Sequence, residues 1–579
     1  MTAAVRIVRR PLAVAPDSLP AGMHPVLRRV YAARAVATTA ELDHSLARLP
    51  APDSLEGTAE AAERLARAIR ADEHVLILGD FDADGATSSA LAVRALRAMG
   101  AQQVSFLVPD RFHFGYGLTP EIVAVALERG PDLIVTVDNG IASLTGVAAA
   151  QAAGVDVIVT DHHLPGRELP GGAVIVNPNL PGSAFPSRAL AGVGVIFYVM
   201  LALRARLRAE GWFERQGIAQ PNLADLLDLV ALGTVADVVP LDYVNRILVA
   251  QGLERIRAGR ACPGIRALLE LAGRDPRRLT ASDLGFFVGP RLNAAGRLED
   301  MSIGIACLLT DDPAAARDIA ARLDEFNRER RRIEQGMQEQ ALGMVEALER
   351  TAAAALPLGV CLFDAGWHQG VIGLLASRLK DRLHRPVIAL APGEQGWVKG
   401  SGRSIPGVHI RDVLDAVATR HPGLLERFGG HAMAAGLTLR EADLGVFMDA
   451  FDAEVRRWVS PEQIGGCVYS DGEIVPGELD LGLAQALRDG GPWGQGFPEP
   501  QFDGCFRLLS RRIVGDRHLK LLLQPVEGGR SIDAIAFNKV EDSAGGMAEA
   551  LRFAYHLDVN EFRGEVGVQL RVTHWEAMP

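Results

Sequence analysis

The sequence predicts a multidomain α/β protein in which a parallel-sheet domain is joined by a long helix to a second, smaller α/β domain, with an OB-like β-barrel at the C-terminus. Three observations predict it. Strand-like and helical runs alternate between residues 75 and 176, the βαβ pattern of a parallel sheet. One apolar stripe continues at helical spacing from residue 319 to residue 348. Strand-like runs with little helix between them then fill the region after residue 500.

The composition is that of an ordinary soluble protein, with 48% apolar and 23% charged residues in 579. The longest uncharged apolar run, 189–203, is too short to cross a bilayer comfortably, and residues 1–20 show no secretory signal. The five cysteines are scattered and never form a CxxC pair, which fits a reducing compartment. A cytoplasmic protein without membrane association is therefore expected. The net charge of −11 excludes a generally positive surface but not a local basic groove.

Domain boundaries follow from these patterns. The predicted divisions are an N-terminal lead-in at 1–70, the parallel-sheet domain at 71–305, the connecting helix at 306–352, the second α/β domain at 353–460 and the barrel at 461–579. The lead-in contains one amphipathic helix near 55–71 and no visible chemistry. Asp312 is expected to cap the long helix, with Pro313 in its first turn.

Polar residues follow the predicted strands of the first sheet. The strands are expected at 75–78, 104–108, 133–137, 155–160 and 173–176, with helices at 120–129 and 143–153. In a parallel sheet, ligands gather at the carboxyl ends of the strands. The first strand is followed by Asp80, Asp82 and Asp84, which would project from one face if the backbone stays extended there. Such acids would repel one another, so a divalent cation is their natural occupant; the alternative is a solvated acidic loop.

Two further strands end in the same way. Residues 138–140 read Asp-Asn-Gly, and residues 161–163 read Asp-His-His. A set of oxygen ligands with one or two imidazoles suits Mn²⁺ or Mg²⁺ better than zinc. Asp228 and Asp237 lie in the apolar run 226–239, where an acid needs a partner or a metal; a helix cap or a buried salt bridge is the alternative for Asp237.

Several basic or glycine-rich segments are candidates for phosphate contact, although each alone is more often a plain turn. Residues 289–297 are interpreted as a Gly-rich loop carrying Arg291 and Arg297, and residues 400–404 (GSGRS) as a loop with glycines for close approach and an arginine to grip phosphate. In residues 429–431 (GGH), backbone amides are expected to face an anion beside an imidazole.

The barrel region contains aromatic and basic residues that are candidates to bind nucleic acid. Its strands are expected at 501–509, 518–524, 531–537, 552–560 and 566–573. The candidates to stack bases are Phe537, Phe553, Tyr555 and Phe562, and those to reach the backbone are Arg512, Arg517 and Lys520. Residue by residue, the better prediction for an aromatic is that it fills the barrel core.

Taken together, the motifs identify a resemblance to the DHH phosphoesterase superfamily and, within it, to bacterial exonucleases specific for single-stranded DNA. The motifs are GDFDADG at 79–85, DNG at 138–140, DHH at 161–163, ALGTVAD at 231–237 and GGH at 429–431, with RFHFGYGL at 111–118, WHQGVIG at 367–373 and GSGRS at 400–404. They cover the chain from about residue 70, in the family's order. In two places the sequence departs from the family: Asp80 stands where the superfamily often has His, and Phe497 where many relatives have Asn.

The resemblance implies a site with two divalent cations, Mn²⁺ or Mg²⁺. Asp80, Asp82 and Asp138 would hold one ion, and Asp84, Asp138, His162 and Asp237 the other, with Asp138 bridging. His163 would lie near the scissile phosphate and, with Asp138, is the expected catalytic residue. The residues implied to bind substrate are Arg111, Arg291, Ser401, Arg403, Gly430 and His431.

The activity implied by the resemblance is 5′-to-3′ exonucleolytic degradation of single-stranded DNA to mononucleotides, in DNA recombination, mismatch repair and other DNA repair. Single-stranded-DNA-binding protein and a RecQ-type helicase are the partners implied, and a monomer is expected. Two alternatives compete with this prediction. A nuclease of short oligonucleotides or a small-molecule phosphatase would lack the additional barrel, and an inactive DNA-binding scaffold would have eroded metal ligands, which this sequence does not.

Overall fold

The computed structural model describes residues 5–109, 117–351, 356–394, 396–459, 465–540, 550–562 and 564–578. Contacts within the chain divide it into two compact units. The larger unit comprises residues 9–327 and 470–579, and the smaller one comprises residues 1–8 and 328–469. The N-terminal segment from Arg9 onward and the C-terminal barrel thus belong to one unit, although they lie near opposite ends of the sequence.

A five-stranded parallel sheet lies at the centre of the larger unit. Its strands stand in the order Val104–Leu107, Val75–Leu78, Leu133–Val137, Asp156–Thr160 and Val174–Val176. All neighbours are parallel, as the βαβ pattern predicts. The strand that comes first in sequence lies between the second and the third, so the direction of winding reverses there. In sheets of this kind, ligands bind at that reversal, beyond the carboxyl ends of the strands.

Helices surround this sheet, and apolar clusters fill both of its faces. The helices of the larger unit are Pro25–Ala32, Thr58–Ala71, Ala83–Ala98, Pro120–Leu127, Leu144–Ala152, Gly192–Ala209, Trp212–Gln216, Leu227–Ala236, Tyr243–Arg257, Pro263–Leu271, Ala281–Asp283, Gly289–Leu298, Ser302–Leu309 and Leu481–Asp489. A π-helix, Leu284–Val288, directly precedes the helix that starts at Gly289. The predicted helices near 55–71, 120–129 and 143–153 are confirmed within a few residues at each end.

The C-terminal strands close into a five-stranded barrel, which confirms the predicted OB-like fold. Around the barrel they follow the order Phe502–Val514, His518–Pro525, Ile532–Ala536, Glu565–Ala577 and Ala550–Phe562. Alternate side chains of His518–Pro525 are buried, so the period-two pattern of the sequence marks the inside of the barrel.

The N-terminal segment fixes the barrel region within the larger unit. Arg34 donates to both carboxylate oxygens of Asp471 at 2.9 Å, and both side chains are almost fully buried. Tyr31 stacks on Trp493, whose ring also stacks on Phe497 at a centroid distance of 5.1 Å. No pattern in the sequence indicates this role, and Phe497, a departure from the family pattern, is a core residue of the contact.

The smaller unit contains a second five-stranded sheet. In spatial order its strands are Arg427–Gly430, Ala434–Arg440, Trp397–Arg403, Val387–Pro392 and Val360–Phe363. The last two are parallel and the other neighbours are antiparallel. Its helices are Ile372–Leu383, Ile410–Arg420 and Leu444–Trp458. One apolar cluster covers one face of the sheet, and a second lies on the other face against the two parallel strands.

The long helix spans Pro313–Thr351, a shorter range than the 306–352 assigned from sequence, because residues 302–309 form a helix of their own. Asp312 accepts a hydrogen bond from the Ala314 amide at 2.9 Å, as expected for its cap. The remaining pair of strands, Arg6–Arg9 and Cys467–Ser470, forms a two-stranded sheet. All five cysteines are free thiols. Within the described ranges no helix combines the length and the apolar character needed to span a bilayer.

Candidate metal centre and phosphate-binding residues

The turn after the strand Val75–Leu78 carries the first three acids. Asp82 keeps an extended backbone and caps the next helix by accepting a hydrogen bond from the Gly85 amide at 3.0 Å. Because the helix begins at Ala83, Asp84 lies in its first turn. The condition for all three acids to project from one face, a backbone that stays extended through Asp84, is therefore not met. Asp80 and Asp82 still come together, since each has an oxygen in a group with Asp138 whose ligand atoms all lie within 4.8 Å of one another.

Asp138 occupies the turn after the strand Leu133–Val137. Its φ of 64° lies in the left-handed region, which Asp tolerates better than most residues. The Asp138 amide donates to the Thr160 carbonyl at 3.0 Å, and the Asn139 side chain donates to the Leu78 carbonyl at 3.2 Å. These bonds fix the turn against both neighbouring strands, at the place where the winding of the sheet reverses.

The residues of the Asp-His-His motif have two roles: Asp161 supports the histidines, and His162 is a candidate metal ligand. Oδ1 of the buried Asp161 accepts the amides of His162 and His163, at 2.7 and 3.1 Å, and lies 2.7 Å from Nδ1 of His163. Nε2 of His162 lies 3.1 Å from Oδ1 of Asp138 and 3.5 Å from Oδ2 of Asp237. Asp161 thus holds the backbone of both histidines and the ring of His163, while the ring of His162 contacts two of the predicted metal ligands.

Two acids of the segment 227–237 have different surroundings. Asp228 is buried and accepts the amides of Leu229 and Cys262, at 2.9 and 2.7 Å, so its charge is satisfied by backbone. Asp237 immediately follows the helix Leu227–Ala236 and forms a ligand group with Asp84 and His162. One alternative for Asp237, that it caps the N-terminus of a helix, is therefore excluded, because the residue lies at the C-terminal end of a helix.

Mutual repulsion and burial raise the affinity of these acids for protons. Burial raises the pKa of Asp237 to about 7, and the charge of Asp82 adds to this effect. Burial and the neighbouring acids also raise the pKa of Asp84 and of Asp138 well above the ordinary value. Burial alone would raise the pKa of Asp161, but the hydrogen bond and charge of His163, the charge of His162 and the Ile141 amide together outweigh burial and lower it.

This donor set fits divalent cations. Three overlapping groups have ligand atoms within 4.8 Å of one another: Asp80, Asp82 and Asp138; Asp84, His162 and Asp237; and Asp138, His162 and His163. The donors are mainly carboxylates with imidazole added, the combination that Mn²⁺ and Mg²⁺ accept. A bound cation would remove the repulsion that raises the pKa of the acids, so the group is better suited to metal than to protons near neutral pH.

Two glycines allow this convergence. A Cβ atom at Gly192 would lie 2.6 Å from Oδ1 of Asp138. At Gly233 it would lie 2.2 Å from Oγ1 of Thr87 and 2.8 Å from Oδ1 of Asp84. The amide of Gly192 also donates to Asp84 at 2.7 Å. These close approaches are functional features that sequence reasoning missed, although Gly233 lies within the quoted motif at 231–237.

Ser401 and Arg403 lie in the smaller unit on the strand Trp397–Arg403, and the prediction of a loop at 400–404 is wrong. The guanidinium of Arg403 donates to Oγ of Ser401 at 3.0 Å and to the Gly402 carbonyl at 2.8 Å. A Cβ atom at Gly373, in the first turn of the helix Ile372–Leu383, would lie 3.1 Å from Oγ of Ser401. The first amides of a helix lack partners within it and favour anions, but here those of Ile372, Leu374 and Leu375 already donate to the carbonyls of His368 and Val371.

The glycine pair before His431 is also in a strand. Gly429 and Gly430 belong to Arg427–Gly430, and Gly430 has a φ of 141°. The His431 amide donates to the Ala434 carbonyl at 2.7 Å. The expectation that this amide faces an anion is therefore wrong, because the hairpin uses it. Gly429 and His431 are exposed, so the surface at this position is accessible.

The arginines near residue 291 are in a helix, Gly289–Leu298, and the prediction of a Gly-rich loop is wrong. The Arg291 guanidinium is buried and donates to Asp324 at 2.9 Å and to the Phe287 carbonyl. Asn293 of the same helix accepts the Ala83 amide at 2.7 Å and so supports the turn of the first acids, a role that sequence reasoning missed. Arg111 lies outside the described residues.

In the barrel, Phe553 and Tyr555 are fully buried and thus cannot stack on bases, which bears out the core alternative for these two. Phe537 is 48% exposed, with its ring against His518. Lys520 pairs with Asp533 at 3.1 Å, and Arg512 and Arg517 are exposed. Phe562 is outside the residues whose side chains are described.

Sheet order, site and barrel together define a phosphoesterase of the DHH class. Residues 74–234 match the family described as "DHH family, N-terminal domain", and residues 352–457 match the "DHHA1 domain". Residues 470–574 match the "RecJ OB domain". The third match indicates one family within the DHH class, because it covers the barrel that follows the two α/β parts.

Relatives that match nearly the whole length of the chain identify its family within this class. The chain is 56% identical over 580 residues to "Single-stranded-DNA-specific exonuclease RecJ" of Dickeya dadantii, covering 99% of each chain. It is 55% identical to the protein of that name from Escherichia coli, covering 95% of this chain and 96% of the other. The crystal structure of RecJ in complex with Mn²⁺ from Thermus thermophilus superposes with a TM-score of 0.81 at 30% identity, covering 100% of this chain and 80% of that one. The chain belongs to the RecJ family of single-stranded-DNA-specific exonucleases.

Proposed function

We propose that this protein is a metal-dependent exonuclease that degrades single-stranded DNA from the 5′ end to 5′-mononucleotides. The observation that carries the proposal is the convergence of Asp138, His162 and Asp237 with the acids of the first turn, in a chain of the RecJ family. These residues follow separate strands and a helix, so only the folded chain brings them together. The RecJ of Thermus thermophilus was crystallised with Mn²⁺ and with Mg²⁺, the cations that this donor set fits.

The ligands would be shared between two cations. Asp80 and Asp82 would hold one, Asp84, His162 and Asp237 the other, and Asp138 would bridge them. When bound, such a pair lowers the pKa of a bridging water and neutralises the charge that grows on the phosphorus. The geometry supports the division, since the first group and the second group each have their ligand atoms within 4.8 Å.

The remaining residues would bind and orient the substrate. Asp161 holds the ring of His163 through Nδ1, which would present an oriented imidazole to the scissile phosphate. In the smaller unit, Ser401 and Arg403 beside a helix N-terminus, together with Gly430 and His431, would bind substrate phosphate. Arg111 and Arg291 are proposed as further substrate contacts. For Arg291 the contact with Asp324 favours a positioning role.

The cellular setting is proposed from the family. The enzyme would act in DNA recombination, mismatch repair and other DNA repair, in the cytoplasm and as a monomer. Single-stranded-DNA-binding protein and a RecQ-type helicase would recruit it or supply its substrate. The match of residues 470–574 to the RecJ OB domain favours a polymeric DNA substrate over short oligonucleotides. All six proposed ligand positions carry competent side chains, which disfavours an inactive scaffold.

End-labelled DNA tests this proposal. Linear single strands carrying the label at the 5′ or the 3′ end, and a circular strand of the same length, would be incubated with Mn²⁺, with Mg²⁺ and with a chelator. We expect metal-dependent release of labelled mononucleotide from the 5′ label first, with no attack on the circle. Early release of the 3′ label, or cleavage of the circle, would contradict the polarity or the exonuclease mode. A duplex of the same sequence serves as the control for strand specificity.

A further inference from the structure

One face of the antiparallel part of the smaller sheet is basic over three strands. Side chains that face each other across antiparallel strands lie on the same side of the sheet, and so do residues two apart on one strand. The register pairs Lys399 with Thr438 and Thr438 with Arg427. It likewise pairs Ser401 with Gly436 and Gly436 with Gly429. These two rows are therefore neighbours on one face.

Burial confirms which face is open. Along Ala434–Arg440, buried residues alternate with accessible ones, and Gly436 and Thr438 are among the accessible set. Arg427 and Gly429 are exposed. A Cβ atom at Gly429 would meet no atom within 4 Å, so other side chains do not cover the backbone of this face at Gly429. The opposite face is the one that packs into an apolar cluster.

The charges of this face are all positive. Its positions on the three strands are Trp397, Lys399, Ser401, Arg403, Arg427, Gly429, Ala434, Gly436, Thr438 and Arg440, and none of these is acidic. This is unusual in a chain with 71 acids and 60 lysines and arginines. Arg440 stacks on Trp397 at 4.7 Å and Arg403 is bonded to Ser401. Lys399 and Arg427 have neither a side-chain hydrogen bond nor an ion pair with any described residue.

We propose that Lys399, Thr438 and Arg427 form a second phosphate-binding row beside the row of Ser401, to whose hydroxyl Arg403 donates. The inference rests on the proposed function, which assigns a substrate phosphate to Ser401 and Arg403. Residues two apart on an antiparallel strand are separated by roughly 6.8 Å. That separation is comparable to the distance between adjacent phosphates of an extended single strand. Two free cations and a hydroxyl would bind the next phosphate, with the bare glycines letting the backbone of the ligand lie close to the sheet.

The chemistry is that of a phosphate attached to the one in the first row. It has two possible sources: an internucleotide phosphate of the strand, or the next phosphate of a 5′-terminal triphosphate. The row would act on both by the same electrostatic contact, so the source must be distinguished by the substrate and not by the residues.

Salt dependence of binding provides the test. The full chain carrying Asp138→Asn, to prevent turnover, would be titrated with 3′-labelled oligodeoxynucleotides bearing a 5′-hydroxyl, a 5′-monophosphate or a 5′-triphosphate. The same titrations would be made with Lys399→Gln/Arg427→Gln added. Losing one phosphate contact should reduce the slope of log K against log salt by about 0.7 and weaken binding about threefold to tenfold at moderate salt.

The matched control is Arg382→Gln/Arg411→Gln, which removes two exposed arginines of the same unit that lie on its helices. The control should keep the slope of the parent chain, and Lys399→Arg should keep it as well because the charge remains. Thermal unfolding of each variant identifies any loss of folding, and the single variants Lys399→Gln and Arg427→Gln replace the double variant if it unfolds.

Each outcome decides the question. A reduced slope with the 5′-monophosphate strand assigns the row to an internucleotide phosphate, and a reduction confined to the 5′-triphosphate strand assigns it to the strand end. Unchanged slopes with all three strands, or an equal reduction in the control, overturn the second row. If the unsubstituted chain degrades single strands while the slopes stay unchanged, only this inference fails. If it degrades none, the proposed function fails whatever the slopes show.

Discussion

The larger unit contains two clusters of buried acids. Arginines of the chain neutralise the first cluster but, among the described residues, not the second. Asp471 and Asp503, near the barrel, are each paired with arginines of the N-terminal segment. Arg552 of the barrel also donates to Asp503, at 2.8 Å. At the edge of the parallel sheet, Asp84 and Asp237 have no lysine or arginine partner in the part of the chain that the structure describes.

The difference appears in the proton affinity of the acids. Burial alone would raise the pKa of Asp503, but its hydrogen bonds with Arg9, Ser470 and Arg552 outweigh burial and lower it. Burial raises the pKa of Asp237 to about 7, with repulsion from Asp82 in addition. Buried acids with cations built into the chain hold the fold together. Buried acids without them leave a place for a cation that the chain does not supply.

The largest expected effect separates function from stability at the metal centre. Asp138→Asn should lower the rate of single-strand degradation at least about a thousandfold, since a shared ligand stabilises the transition state by several kcal/mol. Because the change removes a repelled charge, the free energy of unfolding in chelator should stay equal or rise. The measurements are mononucleotide release with Mn²⁺ and urea unfolding without metal. A variant that retains its rate would remove Asp138 from the centre of the mechanism.

The barrel cluster should behave in the reverse way. Arg34→Met leaves the buried Asp471 without its bidentate partner, and breaking a buried pair costs about 3–5 kcal/mol. Urea unfolding should show this loss equally with and without metal. The double variant Arg34→Met/Asp471→Leu should recover part of it, because no unpaired charge remains. Equal stability of the single variant and the parent would show that Arg10 alone can satisfy Asp471.

How far the sequence predicts the molecule can be judged from these same residues. The parallel sheet and the barrel follow from local patterns, since strands such as Leu133–Val137 are continuous apolar runs between polar turns. The convergence of Asp80, Asp82 and Asp138 was predicted because strand ends meet at one edge of a sheet. The backbone at Asp84 differs from the prediction. Asp82 caps a helix that begins at Ala83, so Asp84 lies in the first turn of a helix and not in an extended segment.

Contacts between distant segments could not be predicted in this way. No periodicity links Arg34 to Asp471, which lies 437 residues away, or Asn293 to the Ala83 amide. Glycine-rich segments were also misinterpreted. The segment at 400–404 is largely a strand, because its glycines face packed neighbours such as Leu437 and Ile410 and avoid clashes in the sheet, and so have no need to form a turn.

The pH dependence of stability offers an intermediate effect with opposite signs in the two clusters. The folded-state pKa of Asp237, about 7, exceeds the ordinary 3.8. Its contribution is therefore complete below pH 3.8 and is lost as the pH rises through about 7, at up to about 1.4 kcal/mol per pH unit in metal-free protein. Asp503 has a lowered pKa, so its contribution is complete above its ordinary pKa and is lost as the pH falls. Urea unfolding in chelator from about pH 2 to about pH 8 measures both slopes, the Asp503 slope at the acid end and the Asp237 slope above it.

Asp237→Asn is the control for the neutral range, where it should flatten the decline in stability. Added Mn²⁺ should reverse the decline in the parent chain, because metal binds the deprotonated acids and binds more tightly as the pH rises. A decline of the same slope in Asp237→Asn would assign it to other groups.

The smallest expected effect tests whether an arginine near the barrel contributes less to the free energy of unfolding when its side chain is more exposed. Arg9 contacts Asp503 at 3.0 Å and Glu473 at 3.4 Å, but its side chain is 56% exposed, against 1% for Arg34. Arg9→Gln should therefore change the free energy of unfolding by less than about 1 kcal/mol, since Arg552 and Ser470 still donate to the buried Asp503. A loss as large as that of Arg34→Met would mean that the contribution of these arginines to stability does not depend on their burial.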